Sequence, residues 1–320
     1  MFRPPASASP GFTLVEMAIV LAIIGLISAV LLSFGSGFID NEKRKNVRVR
    51  LDTAEAALIN FVVVNKRLPC PADGRIASGT PGAGTESINV GPGTCTLTVA
   101  QFGVLPWVTL GMAEADASDP WNARLSYRVD PNLAAALPKP LLMNMSDCDP
   151  ASTGAVSVGG GCKVPVLPCT GSAGCTSPAA FLAAKGLDVW DGLNGAPGFA
   201  ARQNNSTTGS GAAWVLISHG PSGAGAYSAN GTLQPGDAQL PPSKDLEDHN
   251  LNALVLAKPA TSANVYIDGA LNDNPQAYVP PPPVPVPAPP PRTLLHFDDY
   301  LSHPTLISVL TRANLGPRAH

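Results

Sequence analysis

The sequence predicts an α+β protein, one long N-terminal helix followed by a loop-rich body of short strands. Three observations carry this. An unbroken apolar run opens the chain, and a stretch of helical period continues it. Beyond Pro69 the chain breaks into short apolar pieces separated by Gly, Pro, Asn and Ser. The 320 residues suffice for two average domains or one elaborated one. With 31 glycines and 34 prolines the chain stays below the level of a wholly disordered protein. Charged residues make up only 13%, apolar residues an ordinary 45%. The net charge of −3 supplies no basic field, so no nucleic-acid partner is expected. A histone-like protein, a coiled-coil rod and a polytopic membrane protein are excluded.

The first element runs from Phe12 to Leu32, FTLVEMAIVLAIIGLISAVLL, with one charge, Glu16. As a helix it is about 32 Å long, enough to cross a bilayer core. A secretory signal would be cut after such a run, at an A-x-A pattern. Here SFGSGFIDNEKRK follows and offers a poor site, whereas Gly11 stands ahead of the run. A carboxylate inside a membrane span costs several kcal/mol and needs a partner. The alternatives are that Glu16 snorkels to the headgroups or that the run is a buried helix of a soluble protein.

The combination G-F-T-L-V-E plus apolar run resembles the class III leader of type IV pilins and type II secretion pseudopilins. The resemblance implies that a prepilin peptidase cuts between Gly11 and Phe12 and methylates Phe12. It implies that Glu16 pairs with an N-terminal ammonium during filament assembly, which gives a buried carboxylate the cation its burial requires. It further implies a single-pass inner-membrane protein with a periplasmic body, whose partners are other pilin-like subunits and an inner-membrane assembly platform. One physical rule opposes this. Lys43, Arg44, Lys45, Arg48 and Arg50 follow the run, and only Arg3 and the start amine precede it. A positive-inside count would keep the body in the cytoplasm.

The cysteines argue for the outside. Cys70, Cys95, Cys148, Cys162, Cys169 and Cys175 are an even number in a loop-rich context, which reads as disulfides made in an oxidising compartment. The rival is a metal site, but there is no C-x-x-C and zinc spacing is poor. Of the possible pairings, loop proximity favours Cys70–Cys95, Cys148–Cys162 and Cys169–Cys175.

The next element is amphipathic. Val47, Leu51, Ala54, Leu58 and Phe61 recur at helical spacing, so one helix is expected from Thr13 to Asn65, with Gly25, Gly35 and Gly37 as weak points. The division is a leader at 1–11, a membrane half at 12–39, an amphipathic half at 40–66 and a body at 67–279. By the pilin resemblance the first half anchors and the second packs on an antiparallel sheet. The Pro that many pilins carry near Ser33 is absent here. Pro69 stops the helix. Strands are expected at 94–105, 123–129, 212–220 and 253–259, with an irregular cysteine-stapled region at 144–177. Residues 280–291, PPPPVPVPAPPP, form a polyproline II rod of about 37 Å, read as a spacer in preference to a groove ligand. In the segment 292–320, Leu306, Val309 and Leu310 suit one helical face. RLPCPADG, VLPWVTLGM, DPWNARLSYRV and HFDDYLSHPTLISVLTRA also resemble segments of prepilin-like proteins. In DPWNARLSY, Asn122 stands where major pseudopilins have Gly.

Catalysis finds little support. Ser218-His219 suggests a hydrolase, but 220–224 reads GPSGA without the G-x-S-x-G pattern, and neighbours on a strand point to opposite faces. The plainer reading is a strand end entering a Gly-rich turn. Calcium is the remaining cofactor candidate. Resemblance to major pseudopilins implies a loop between Ser218 and Asn252, with Asp237, Asp245, Glu247, Asp248 and Asn250 as oxygen donors. The family's ligand order is not reproduced, and a solvated acidic loop is the alternative. Asp298-Asp299 is read as a helix N-cap. Together these readings describe a non-enzymatic structural subunit of a type IV pilus or type II pseudopilus, its size suiting a minor position. The alternatives are a pilus-tip binding module (an adhesin) and a membrane-tethered periplasmic hydrolase.

Overall fold

The computed structural model describes residues 13–89, 93–96, 103–134, 143–146, 148, 177–183, 185–191, 202–234, 250, 265–269, 271 and 297–318. The side chains of 29–39, 180 and 265 lie outside that set. So do the expected strand 253–259, residues 97–102 of the expected strand 94–105, and the proline run 280–291.

Helix α1 spans Leu14–Asn65, within a residue of the expected start and without a break at Gly25, Gly35 or Gly37. The chain divides into two compact units, 1–45 and 46–320, and α1 contributes to both. In the first unit its apolar side chains face outward, Leu14 at 87% exposure and Leu26 at 71%. Among the described residues no helix is long and apolar enough to cross a membrane. Of the run read from the sequence, Phe12 and the side chains of 29–32 lie outside the described set.

In the second unit α1 buries Val47, Leu51, Ala54 and Leu58, as their spacing requires. The stripe continues through Ile59 and Val62, not Phe61. Val62 follows Ala54 and Leu58 along the i+4 row, while Phe61 stays half-buried with the Arg67 guanidinium 5.1 Å over its ring. The helix ends as Lys66 turns to φ +56°, three residues ahead of Pro69.

The remaining elements are β1 (Ala72–Asp73), β2 (Gly103–Val104), β3 (Ala123–Arg124), β4 (Ser126–Val129), α2 (Pro131–Ala134), α3 (Pro178–Leu182), β5 (Asp188–Trp190), β6 (Arg202–Asn204), a 3-10 turn (Ser206–Thr208), β7 (Trp214–Ser218), β8 (Tyr227–Ser228), β9 (Val265–Ile267), β10 (Tyr300–Ser302) and α4 (Leu306–Arg312). The main sheet has the order β1-β2-β4-β7-β10, antiparallel throughout. Its centre pairs Ser126 with Ile217, Tyr127 with Leu216 and Arg128 with Val215. Strand alternation then sorts the side chains. Tyr127, Val129, Trp214 and Leu216 join the α1 stripe in the main core. Val215 and Ile217 form a second cluster with Leu187, Val189 and Tyr266. The last two belong to the small sheet β6-β5-β9, in which β5 and β9 run parallel.

The C-terminal segment completes this unit. β10 is the edge strand beside β7, and α4 buries Leu306, Val309 and Leu310 under a Thr305 N-cap. Glu55 of α1 accepts hydrogen bonds from Ser302 and from Arg312. The proline run is therefore flanked on both sides by residues of the same unit. Among the described helices Asp298 and Asp299 are not N-caps; Thr305 caps the helix that follows them. Asp298 accepts from the N–H and hydroxyl of Ser222, and Asp299 accepts from Asn250 Nδ2. They lie at the mouth of β10, where buried donors need acceptors.

In the turn 119–123, Asp119 Oδ1 accepts from the N–H groups of Trp121 and Ala123. Asn122 takes φ +66°, the left-handed conformation that Gly would adopt freely and Asn tolerates. The turn thus keeps the hand expected of a Gly turn. Asn122→Gly should leave stability within about 0.5 kcal/mol of the parent, and Asn122→Val should cost about 1–3 kcal/mol. Denaturant midpoints of the two variants check this; equal values would show that the backbone there is not constrained.

Candidate functional site

At the start of α1, Thr13 and Glu16 close a reciprocal pair. The Thr13 N–H and hydroxyl both donate to Glu16 Oε2, at 3.2 and 3.3 Å, and the Glu16 N–H donates to Thr13 Oγ1 at 3.2 Å. This is a capping box, in which Thr and Glu three residues apart satisfy helix N-terminal donors. T-x-x-E ahead of an apolar run is its sequence signal. The carboxylate also lies where the helix dipole favours negative charge. Thr13 and Glu16 are exposed, as are the apolar side chains from Leu14 to Ile27. Gly11 and Phe12 lie outside the described residues.

Elsewhere the main sheet holds a buried polar network. Ser218 and His219 are fully buried and are not brought together, because consecutive strand residues face opposite ways. The Ser218 hydroxyl donates to Asp119 Oδ2 at 2.9 Å. The His219 ring meets Ser126 instead, Nε2 and Oγ lying 2.8 Å apart, with Nδ1 3.5 Å from Asp299 Oδ1. Ser126, His219 and Asp299 thus follow one another as a hydrolase triad would, but each is at most 2% exposed. Burial, with the Arg128 cation adding to it, pushes His219 down to about 4. A histidine neutral at that pH is a weak proton acceptor, and a sealed serine reaches no substrate. Arg128, fully buried, donates to the Gly103 carbonyl at 2.7 Å and bonds Tyr266, whose hydroxyl burial pushes up to about 12. Gly220 closes the turn after His219 at φ +55°, where a Cβ would stand 2.3 Å from the Asp298 carbonyl oxygen.

Cys70 and Cys95 form a disulfide, as loop proximity favoured, across a separation of 25 residues. Cys148 is also disulfide-bonded. Cys162, Cys169 and Cys175 lie outside the described residues. Beside the bridge, Glu86 accepts from the Cys70 N–H and pairs with Arg67 through two 2.8 Å bonds. Replacing Cys70 and Cys95 by Ser should cost about 3 kcal/mol, read as a lowered denaturant midpoint. A midpoint equal to that of the parent would show that the bridge constrains little.

Of the calcium candidates, Asp237, Asp245, Glu247 and Asp248 lie outside the described residues. Asn250 is otherwise engaged. Its Oδ1 accepts from the Ile267 N–H, and its Nδ2 donates to the Ile267 carbonyl and to Asp299. That amide binds the edge of β9. A cleft of about 390 Å³ lies between α1 and the β9 and β10 ends, lined by Arg48, Asp52, Asp268 and Asp299 among others. Asp268 there is held by His303 at 2.9 Å. Among the described residues no group of His, Cys, Asp and Glu is placed to hold a metal ion.

Residues 7–32 match the family described as the prokaryotic N-terminal methylation motif, the signal of type IV pilins and pseudopilins. No curated protein and no solved structure matches the chain.

Proposed function

We propose that the chain is a prepilin-type subunit, made with an 11-residue leader, cut between Gly11 and Phe12 and methylated on Phe12. The observation that carries this is the methylation motif at 7–32, lying over the start of a long helix whose later turns pack on an antiparallel sheet. The outward-facing apolar side chains of Leu14–Ile27 suit a bilayer first and neighbouring helices afterwards. In this reading α1 anchors the subunit in the inner membrane, the body folds in the periplasm where Cys70–Cys95 can oxidise, and assembly draws α1 into a filament with other pilin-like subunits. Glu16 then meets an N-terminal ammonium. The large, loop-rich body suits a minor position in a pilus or secretion pseudopilus.

Intact-mass and N-terminal analysis of membrane-extracted protein tests the processing. The expected species begins with N-methyl-Phe12. A mature terminus beyond Leu32 would identify a removable secretory signal and end the pilin reading.

A further inference from the structure

The basic residues after the apolar run are given no role by that reading, and a charge count sets them against it. Lys43, Arg44 and Lys45 are consecutive on α1 within the first unit. Steps of about 100° place them around three sides of the helix; Lys45 is exposed, Lys43 and Arg44 half-buried. Between Glu16 and Asp40 the sequence has no charge. A helix from Phe12 to Ile39 is about 42 Å long, the thickness of a bilayer core with both headgroup layers, about 40–45 Å. Charge returns where that thickness ends, and Lys43 follows about 6 Å further on. Cα–Cβ bonds tilt toward a helix's N-terminus, so all three side chains lean back toward the apolar run. Their flexible stems cover the remaining distance. Asp40 and Glu42 are the acidic residues in this stretch, against five basic ones up to Arg50.

We propose that Lys43, Arg44 and Lys45 form a collar that binds the phosphates of anionic lipid headgroups in the leaflet beside the body. The three side chains span about 200° of the helix at one height, which fits a planar sheet of charge better than a contact on one face. A folded protein partner would meet one face. Charges that would oppose export by a simple count then set the depth of the subunit in the membrane before assembly. The inference rests on the membrane-spanning reading above.

The test uses the full-length processed protein in a zwitterionic detergent, with phosphatidylglycerol or phosphatidylcholine added and retained lipids counted by native mass spectrometry. Phosphatidylglycerol should be retained at least about tenfold better, and the triple variant Lys43→Gln, Arg44→Gln, Lys45→Gln should reduce that preference to about twofold or less. Equal retention of the two lipids by the parent, or an unchanged preference in the variant, overturns the collar. Should the variant fail to fold, salt decides with the parent alone. A headgroup collar loses its preference as the screening length shrinks from about 10 to about 3 Å, and a salt-independent preference overturns it. Detergent has no inside or outside, so a wrong orientation would leave this result unchanged and appear instead in a periplasmic reporter fusion.

Discussion

Glu16→Gln should abolish incorporation into the filament while leaving membrane insertion and cleavage at Gly11 intact. The capping box makes this substitution a clean probe. Gln at the third helical position caps as Glu does, so the Thr13–Glu16 geometry survives and only the charge is lost. If the assembled subunit buries an N-terminal ammonium against Glu16, that ammonium loses its partner, at a cost of about 3–5 kcal/mol, about two to four powers of ten in the assembly equilibrium. A Glu16 that only caps its helix, or snorkels to the headgroups, predicts about 1 kcal/mol or less. Thr13→Val separates the two roles from the other side. It removes the hydroxyl of the cap and keeps the charge, so it should cost about 1 kcal/mol of helix stability and leave incorporation near the parent level. Co-purification of the Glu16→Gln protein with its filament partners at parent level would reject the pairing.

The helix was legible because its signals are local and repeated. Val47, Leu51, Ala54 and Leu58 state the period, and Pro69 states the limit. At Phe61 the spacing allowed either of two neighbours, and packing settled on Val62. Strands β1, β5 and β6 are two or three residues long, too short for an alternation to show. β10 hides behind a proline run, and its neighbouring Asp298-Asp299 resembles a helix start while serving Ser222 and Asn250. The polar network was out of reach for another reason. Ser126 and His219 are 93 positions apart and meet only through the β4–β7 register. A trace of it does stand in the sequence. In SYRV, Ser126 and Arg128 alternate with Tyr127 and Val129, a half-polar pattern that usually marks a solvent-facing side. Here a second layer of structure covers that side. The Thr13–Glu16 pair shows that one residue can carry two signals: T-x-x-E reads as a capping box, and G-F-T-L-V-E reads as a processing site.

Acid should destabilise the body chiefly through His219. Its folded value of about 4 lies below the ordinary 6.5, with burial the largest cause and the Arg128 cation next, while Asp119 and Asp298 pull the other way. Between those two values the unfolded chain holds a proton that the folded chain refuses. Stability therefore falls as pH drops from about 6.5 toward 4, by about 3 kcal/mol in all, and changes little above 6.5 on this account. Asp119 and Asp130 act in the opposite sense. Burial raises both, so the folded state takes their protons up more readily as pH falls, and the net loss is smaller than His219 alone would give. Once protonated, His219 would face Asp299 at 3.5 Å but would also stand in the field of Arg128, where burial keeps bulk solvent from screening either. The strands at risk are β4, β7 and β10, which the ring and Asp299 join. Guanidinium midpoints of detergent-solubilised protein at pH 7 and pH 4.5 measure the loss. His219→Gln should lower the midpoint at pH 7, because the fit to Ser126 is poorer, and should flatten the dependence between the two pH values by about 2–3 kcal/mol. A variant that keeps the parent's full acid sensitivity would move the origin of that sensitivity away from this histidine.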